Sequence, residues 1–483
     1  MFYILISTIT FLLIATYCVL KFIVFKNNEK FDIIANKILK IIAIVYASIM
    51  ILTILLPDKF CLCLSQEELA LSTRSLGYKL IRSLLLVNFV ILPLSVFFKN
   101  RTIRNIAIYF CTTITIISVF YYPEFLIDFT SVQGKGLNSI SIISQDFKNF
   151  LINPTFRSVW FGITLTLQIL IPVVLAIQEK HIFDFKNKKE YLYFFITLPL
   201  IIISTTPIYI PQHLFGYTNL ILEPYSIAHI GWLLLIIIQI FVLYIIFKNK
   251  TIETKLLMLY VLSLSLLMQY LQMFSAISIN FEKLPFQLCN MGAFFVLISL
   301  ITKNKKIFNF TVIINVAGVL FALAMPDLDG KGLFYLYNMH FIFEHTNVLV
   351  VPVLALMLKV FPSINKDALK DCLIGYSIYF VSVWILGTAF NAIALSTGNG
   401  FFKANYFFMF NAEKAAKLLP FTQALFDINI KIGNIIIYPV IQLIIYVVFS
   451  LVCVLLYFVI RLIYIMFDKF KTKNLTNSVQ DNN

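Results

Sequence analysis

Apolar stretches long enough to cross a bilayer alternate with short lysine-rich turns along nearly the whole chain. A hydrocarbon core about 30 Å thick takes roughly 20 residues of helix at about 1.5 Å each, so such a run reads as a membrane-spanning helix. Runs over 3–25, 38–57, 80–98, 105–122, 157–177, 191–210, 226–247, 256–277, 286–302, 307–325, 333–358, 371–391 and 434–460 predict thirteen of them. The expected fold class is an all-α, polytopic integral membrane bundle, because helices satisfy their backbone hydrogen bonds within the segment.

Composition agrees: 60% of the residues are hydrophobic and the mean hydropathy is +0.91. The net charge of +15 is spread over many short loops. It therefore reads as a signal for membrane orientation and anionic lipid, not as a stripe that could follow a nucleic-acid backbone. Basic residues cluster in every second loop: Lys26, Lys30 and Lys37; Lys99, Arg101 and Arg104; Lys180, Lys186, Lys188 and Lys189; Lys248, Lys250 and Lys255; Lys303, Lys305 and Lys306; Lys359, Lys366 and Lys370. The loops between carry fewer bases for their length and more acid, at Glu124, Asp128, Glu223, Asp327 and Asp329. The positive-inside rule then puts the N-terminus outside and the C-terminus in the cytoplasm of a multi-pass cell-membrane protein. The first 25 residues lack a basic leader region and a small-residue cleavage site, so the first helix is expected to be retained. The Lys-, Ile-, Phe- and Asn-rich composition is typical of AT-rich bacterial genomes.

Cys18, Cys61, Cys63, Cys111, Cys289, Cys372 and Cys453 form neither a disulfide framework nor a cluster with metal-ligand spacing. No cofactor and no metal is expected. A Gly-rich phosphate loop and a GxSxG elbow are both absent from the sequence, which leaves nucleotide-driven transport and serine hydrolysis without support.

The two halves show weak, ordered similarity. Asn88 to Pro123 contains the basic turn Lys-Asn-Arg-Thr-Ile-Arg, and Asn290 to Pro326 contains Lys-Asn-Lys-Lys-Ile-Phe in the same place. Ile-Pro-Val-Val-Leu-Ala at 171–176 parallels Val-Pro-Val-Leu-Ala-Leu at 351–356. The expected organisation is a tandem repeat with one degenerate copy: a six-helix half at 1–225, a seven-helix half at 226–466, and a disordered cytoplasmic tail at 467–483. In this alignment Cys289 corresponds to Val87 and His345 to Leu165, so the first copy keeps the fold without the chemistry.

The chemistry-bearing residues lie in the second half. Pro-Phe-Gln-Leu-Cys-Asn at 285–290 puts Cys289 near one end of an apolar helix, and Phe-Glu-His-Thr-Asn at 343–347 puts His345 inside another. A thiol and an imidazole are the minimum for a cysteine nucleophile, since the imidazole can take the thiol proton. Cys289 lies 14 residues before Lys303 and His345 lies 14 before Lys359, so the two are expected at equal depth, in the outer half of the membrane. Glu344, Asn290, Gln287, Asn391 and Asn405 are candidate pocket residues. His340 is expected near the outer surface, and His229, His213 and His181 at solvated helix or loop ends.

Ser-Ile-Ala-His at 226–229, Leu-Pro-Phe-Gln-Leu-Cys-Asn at 284–290, Ala-Met-Pro-Asp at 324–327, Phe-Ile-Phe-Glu-His at 341–345, Asn391 and Asn-Tyr-Phe-Phe-Met at 405–409 occur in the order seen in a known family. Over 226–466 the chain resembles the YwaF-like integral membrane family. Its animal relatives include a transmembrane phospholipid acyltransferase, and it is similar to the androgen-induced-gene type membrane hydrolases. The resemblance implies that Cys289 and His345 are a catalytic pair; where many relatives carry His, this chain has Gln287.

Two function classes follow. One is a lipid acyltransferase or acyl hydrolase acting on phospholipid or glycolipid esters, with membrane lipids as substrate. The other is a transporter or lipid-binding scaffold without catalytic activity. A coupled transporter should carry ionisable groups near the midplane of both halves, whereas the clearest here are Glu344 and His345. Nucleic acid is not an expected partner, and the sequence identifies no protein partner.

Overall fold

The computed structural model describes residues 2–55, 75–98, 100–125, 144–179, 210–216, 220–276, 281–324, 326, 332–361, 364–413 and 422–480. The protein is a polytopic all-α membrane protein. Ten helices among the described residues are long and apolar enough to cross a membrane. Twelve of the thirteen predicted runs coincide with helices; the run at 191–210, apart from its last residue, lies outside the described residues, as do Cys61, Cys63, Asp327 and Asp329. The chain divides into two compact units, one of Met1–Tyr217 with Met268–Ile279 and Phe334–Leu336, the other of Thr218–Leu267 with Asn280–Leu333 and Tyr337–Asn483.

The first unit is built on α1 (Ile4–Val24), α2 (Glu29–Leu55), α3 (Leu76–Phe97), α4 (Arg101–Phe120) and α5 (Pro154–Gln178). Small and polar residues join them, as expected where lipid removes the hydrophobic drive for helix association. The Thr10 and Thr166 hydroxyls meet at 3.1 Å between α1 and α5. Asn88 of α3, fully buried, donates from Nδ2 to Thr115 Oγ1 of α4 at 2.8 Å and Gln168 Oε1 of α5 at 3.3 Å. Val87 and Leu165, the positions aligned with the thiol and the imidazole, are buried apolar residues of this unit. Lys79, Arg82, Lys148 and Arg157 are also buried. Lys79 and Arg82 fall within the first two turns of α3, and Arg157 within the first turn of α5.

The second unit is built on α6 (Ile227–Phe247), α7 (Ile252–Ala276) as far as Leu267, α8 (Leu288–Thr302), α9 (Lys305–Ala324), α10 (Leu336–Met357) from Tyr337, α11 (Lys366–Thr397) and α12 (Pro439–Gln480). A hairpin of β1 (Ile430–Ile432) and β2 (Ile435–Ile437) precedes α12, with Ile430 opposite Ile437 and Gly433 at φ 59° in its turn. Large apolar side chains of α6 and α12, such as Leu235, Phe241, Leu451 and Leu455, are exposed; in a bilayer that surface is solvated by lipid. Helix α12 runs as far as Gln480, into the polar stretch that begins at 467. A helix already nucleated over a span extends at little cost through Lys-, Leu- and Gln-containing sequence.

Helices α8 and α9 form a tight antiparallel hairpin that fixes the depth of Cys289. They join through Lys303 at φ 53° and Asn304, whose Oδ1 accepts from the Lys306 and Ile307 N–H groups at 2.9 and 3.3 Å. Two close approaches set the register: a Cβ on Gly318 would stand 2.8 Å from Leu288 Cδ2, and one on Gly292 would stand 2.7 Å from Asn315 Nδ2. Asn309 then ties α9 to α11 by donating to Asp371 Oδ2 at 2.8 Å. Helix α11 ties to α12 through Trp384 Nε1, which donates to Gln442 Oε1 at 3.0 Å.

Candidate functional site

Helix α8 has 15 residues, about 22 Å at 1.5 Å per residue, too few for a core about 30 Å thick. With its basic end at Lys303 on one boundary, its N-terminus stops inside the membrane. Gln287 is the N-cap residue with extended φ/ψ, and its side chain does not cap the helix. Cys289 therefore sits in an uncapped first turn, where backbone N–H groups lack helical partners. The thiol is half-buried and lies 3.6 Å from Asn290 Oδ1. The Glu344 carboxylate is within electrostatic reach of the sulfur.

A loop closes over this turn. Gln287 reaches out as a two-pronged clamp: Nε2 donates to the Asn405 carbonyl at 3.0 Å, and Oε1 accepts from the Phe407 N–H at 3.3 Å. Asn391 of α11 does the same one step earlier, with Nδ2 donating to the Ala404 carbonyl at 2.8 Å and Oδ1 accepting from the Ala404 N–H at 3.2 Å. Asn405 Oδ1 accepts from the Phe410 N–H at 3.1 Å. Three of the candidate pocket residues thus hold the 404–410 backbone. The loop is strained: Phe407 and Phe408 adopt φ of 54° and 58°, a left-handed conformation that costs roughly 1–2 kcal/mol per non-glycine residue. Tyr406 donates to the Phe281 carbonyl, and burial followed by the neighbouring Glu282 carboxylate pushes its phenol above the ordinary value. Tyr379 of α11, also in electrostatic reach of Cys289, donates to the Phe286 carbonyl at 2.5 Å and fixes the approach to α8.

Helix α10 supplies the imidazoles. His345 is buried; its Nδ1 lies 2.8 Å from the Phe341 carbonyl. A carbonyl can only accept, so Nδ1 carries a proton, and in the neutral form of the ring Nε2 keeps the lone pair. The ring lies 4.0 Å from that of Phe341, which in turn meets Trp232 of α6 edge-on at 6.0 Å. Trp232 Nε1 donates to Thr346 Oγ1 at 2.8 Å and fixes the rotation of α10 against α6.

Two histidines depart from expectation. His340, expected near the outer surface, is buried, with Nε2 3.0 Å from Glu344 Oε2. A carboxylate one turn away on a membrane helix needs a buried cation or donor, and that demand outweighs the position of His340 in the run. His229, expected at a solvated helix end, is 1% exposed. Its Nδ1 accepts from the Tyr225 N–H and its Nε2 donates to the Leu323 carbonyl, both at 2.9 Å, pinning the start of α6 to the end of α9. His181 lies outside the described residues, and for His213 only the backbone helix is described.

Gln287, Cys289 and Asn290 lie at the start of α8, and Glu344 on α10 is within electrostatic reach of both Cys289 and His345; no hydrogen bond joins Cys289 to His345 among the described residues. Sequence reading missed two participants. Asn315 of α9 has the signal of a buried polar residue in an apolar run, opposite a glycine. His340 has the signal of a four-residue spacing to Glu344. Residues 224–457 match the TMEM164 family, a membrane protein family. No curated protein and no solved structure matches this chain.

Proposed function

We propose that the second unit is a membrane-embedded lipid acyltransferase or acyl hydrolase in which Cys289 is the nucleophile and His345 the base. The observation that supports this reading is a half-buried thiol in the uncapped first turn of a short helix, within electrostatic reach of Glu344, the residue that precedes His345 in the chain. His345 Nε2 takes the thiol proton, the sulfur attacks an ester carbonyl of a membrane lipid, and the departing alcohol recovers the proton. The thioester then passes its acyl group to a second lipid or to water. The family match supports this reading by covering the half that holds Cys289, Glu344 and His345.

A coupled transporter fits less well. The ionisable residues buried in the first unit on α3 and α5 lie in the opening turns of their helices, not near the midplane where alternating-access sites form. Lipid profiles of cells carrying wild type, a deletion and Cys289→Ala test the proposal. The expected result is that Cys289→Ala reproduces the deletion and differs from wild type in the acyl composition of one lipid class. Identical profiles in all three would reject it.

A further inference from the structure

We infer that Asn315 is a further catalytic residue, whose side-chain amide holds the oxyanion formed when the Cys289 sulfur adds to a lipid ester carbonyl. This rests on the acyl-transfer reading above. Asn315 lies on α9, is 2% exposed, and its Nδ2 has no hydrogen-bond partner among the described residues. A buried amide donor without an acceptor is costly and rarely retained for packing alone. It is aimed at α8, against Gly292, three residues beyond Cys289 and on the same side of that helix. Glycine is the least favoured ordinary residue inside a helix apart from proline, and any other side chain at 292 would occupy the space of the Asn315 amide.

Two kinds of donor are available to an oxyanion here. The Gln287 side chain is drawn away to the 404–410 loop and leaves the backbone N–H groups of the first turn of α8 uncapped, and Asn315 adds a neutral N–H from α9. In the step itself the S–C bond forms as the carbonyl π pair moves onto oxygen, and that oxygen accepts from Asn315 and the helix turn. Collapse restores the C=O bond and breaks the bond to the alcohol oxygen, which takes the proton held on His345. Donors aimed at the developing charge act on the transition state more than on the bound ester.

The test uses the full chain in phosphatidylcholine, phosphatidylethanolamine and phosphatidylglycerol vesicles with labelled acyl chains, measuring kcat and KM for acyl release or transfer. Alkylation of Cys289 by iodoacetamide is followed by mass spectrometry in parallel, since that displacement forms no oxyanion. Asn315→Ala and the near-isosteric Asn315→Leu should lower kcat about 100-fold, with KM and the alkylation rate close to wild type. Gly292→Ala should lower kcat as well. Wild-type turnover in both Asn315 variants would overturn the assignment, and so would an equal loss of alkylation, which would mark a purely structural role. An inactive wild type would instead reject the acyl-transfer reading and this assignment with it.

Discussion

His340 Nε2 and Glu344 Oε2 stand 3.0 Å apart across one turn of α10, both buried. Because His345 Nδ1 is already committed to the Phe341 carbonyl, the carboxylate orients His340 and not the imidazole proposed as base. A Cys-His-Glu relay, with Glu344 as the third member, is therefore not the arrangement in this protein; Glu344 acts on the thiol and on His345 through its field.

Breaking that pair should leave a buried charge without its partner. His340→Ala is expected to destabilise the fold by about 3–5 kcal/mol. The double variant His340→Leu/Glu344→Leu should be much less destabilised, since two apolar groups of similar volume require no compensation. Denaturant unfolding in detergent measures both. Additive losses would show that the two residues are not coupled.

Gln287 should act on the loop and not on its own helix. Gln287→Ala removes two hydrogen bonds, each worth about 1 kcal/mol net, from a segment carrying left-handed strain at Phe407 and Phe408. Faster hydrogen exchange at the Phe407 amide and quicker proteolysis within 404–410 are expected. Gln287→Glu keeps the acceptor for Phe407 but loses the donor to Asn405, so its effect should be intermediate. Unchanged Phe407 protection in Gln287→Ala would remove the clamp.

The alternation of basic loops predicts that the α8–α9 turn faces the cytoplasm and the segment around Glu223 the outside. A single reactive cysteine placed at Lys305 should resist an impermeant reagent in intact cells, and one at Glu223 should react. The reverse pattern would invert the assigned topology.

The helices were readable because a bilayer imposes one length and one composition on every span, and α6, α9 and α11 appear within a few residues of the expected runs. The thiol and His345 were readable as ionisable groups in apolar surroundings. The Phe407–Phe408 conformation was not, because aromatic residues disfavour positive φ and only the Gln287 and Asn391 clamps make it the lowest available state. Helix α8 begins at Leu288, close to the expected run, but its uncapped first turn was hidden, because the partners that draw Gln287 away lie in the distant 404–410 loop. Asn315 gains meaning only when α9 folds against Gly292, a relationship between helices that no local pattern encodes.

The central claim is that Cys289 carries the acyl group. Incubating the protein with acyl-labelled phospholipid vesicles, quenching in acid and identifying the Cys289 peptide by mass measures this directly. The account predicts a hydroxylamine-sensitive acyl adduct on Cys289 that is absent from Cys289→Ala and strongly reduced in His345→Ala. Acyl transfer that persists in Cys289→Ala, with no adduct on the wild-type thiol, would contradict it.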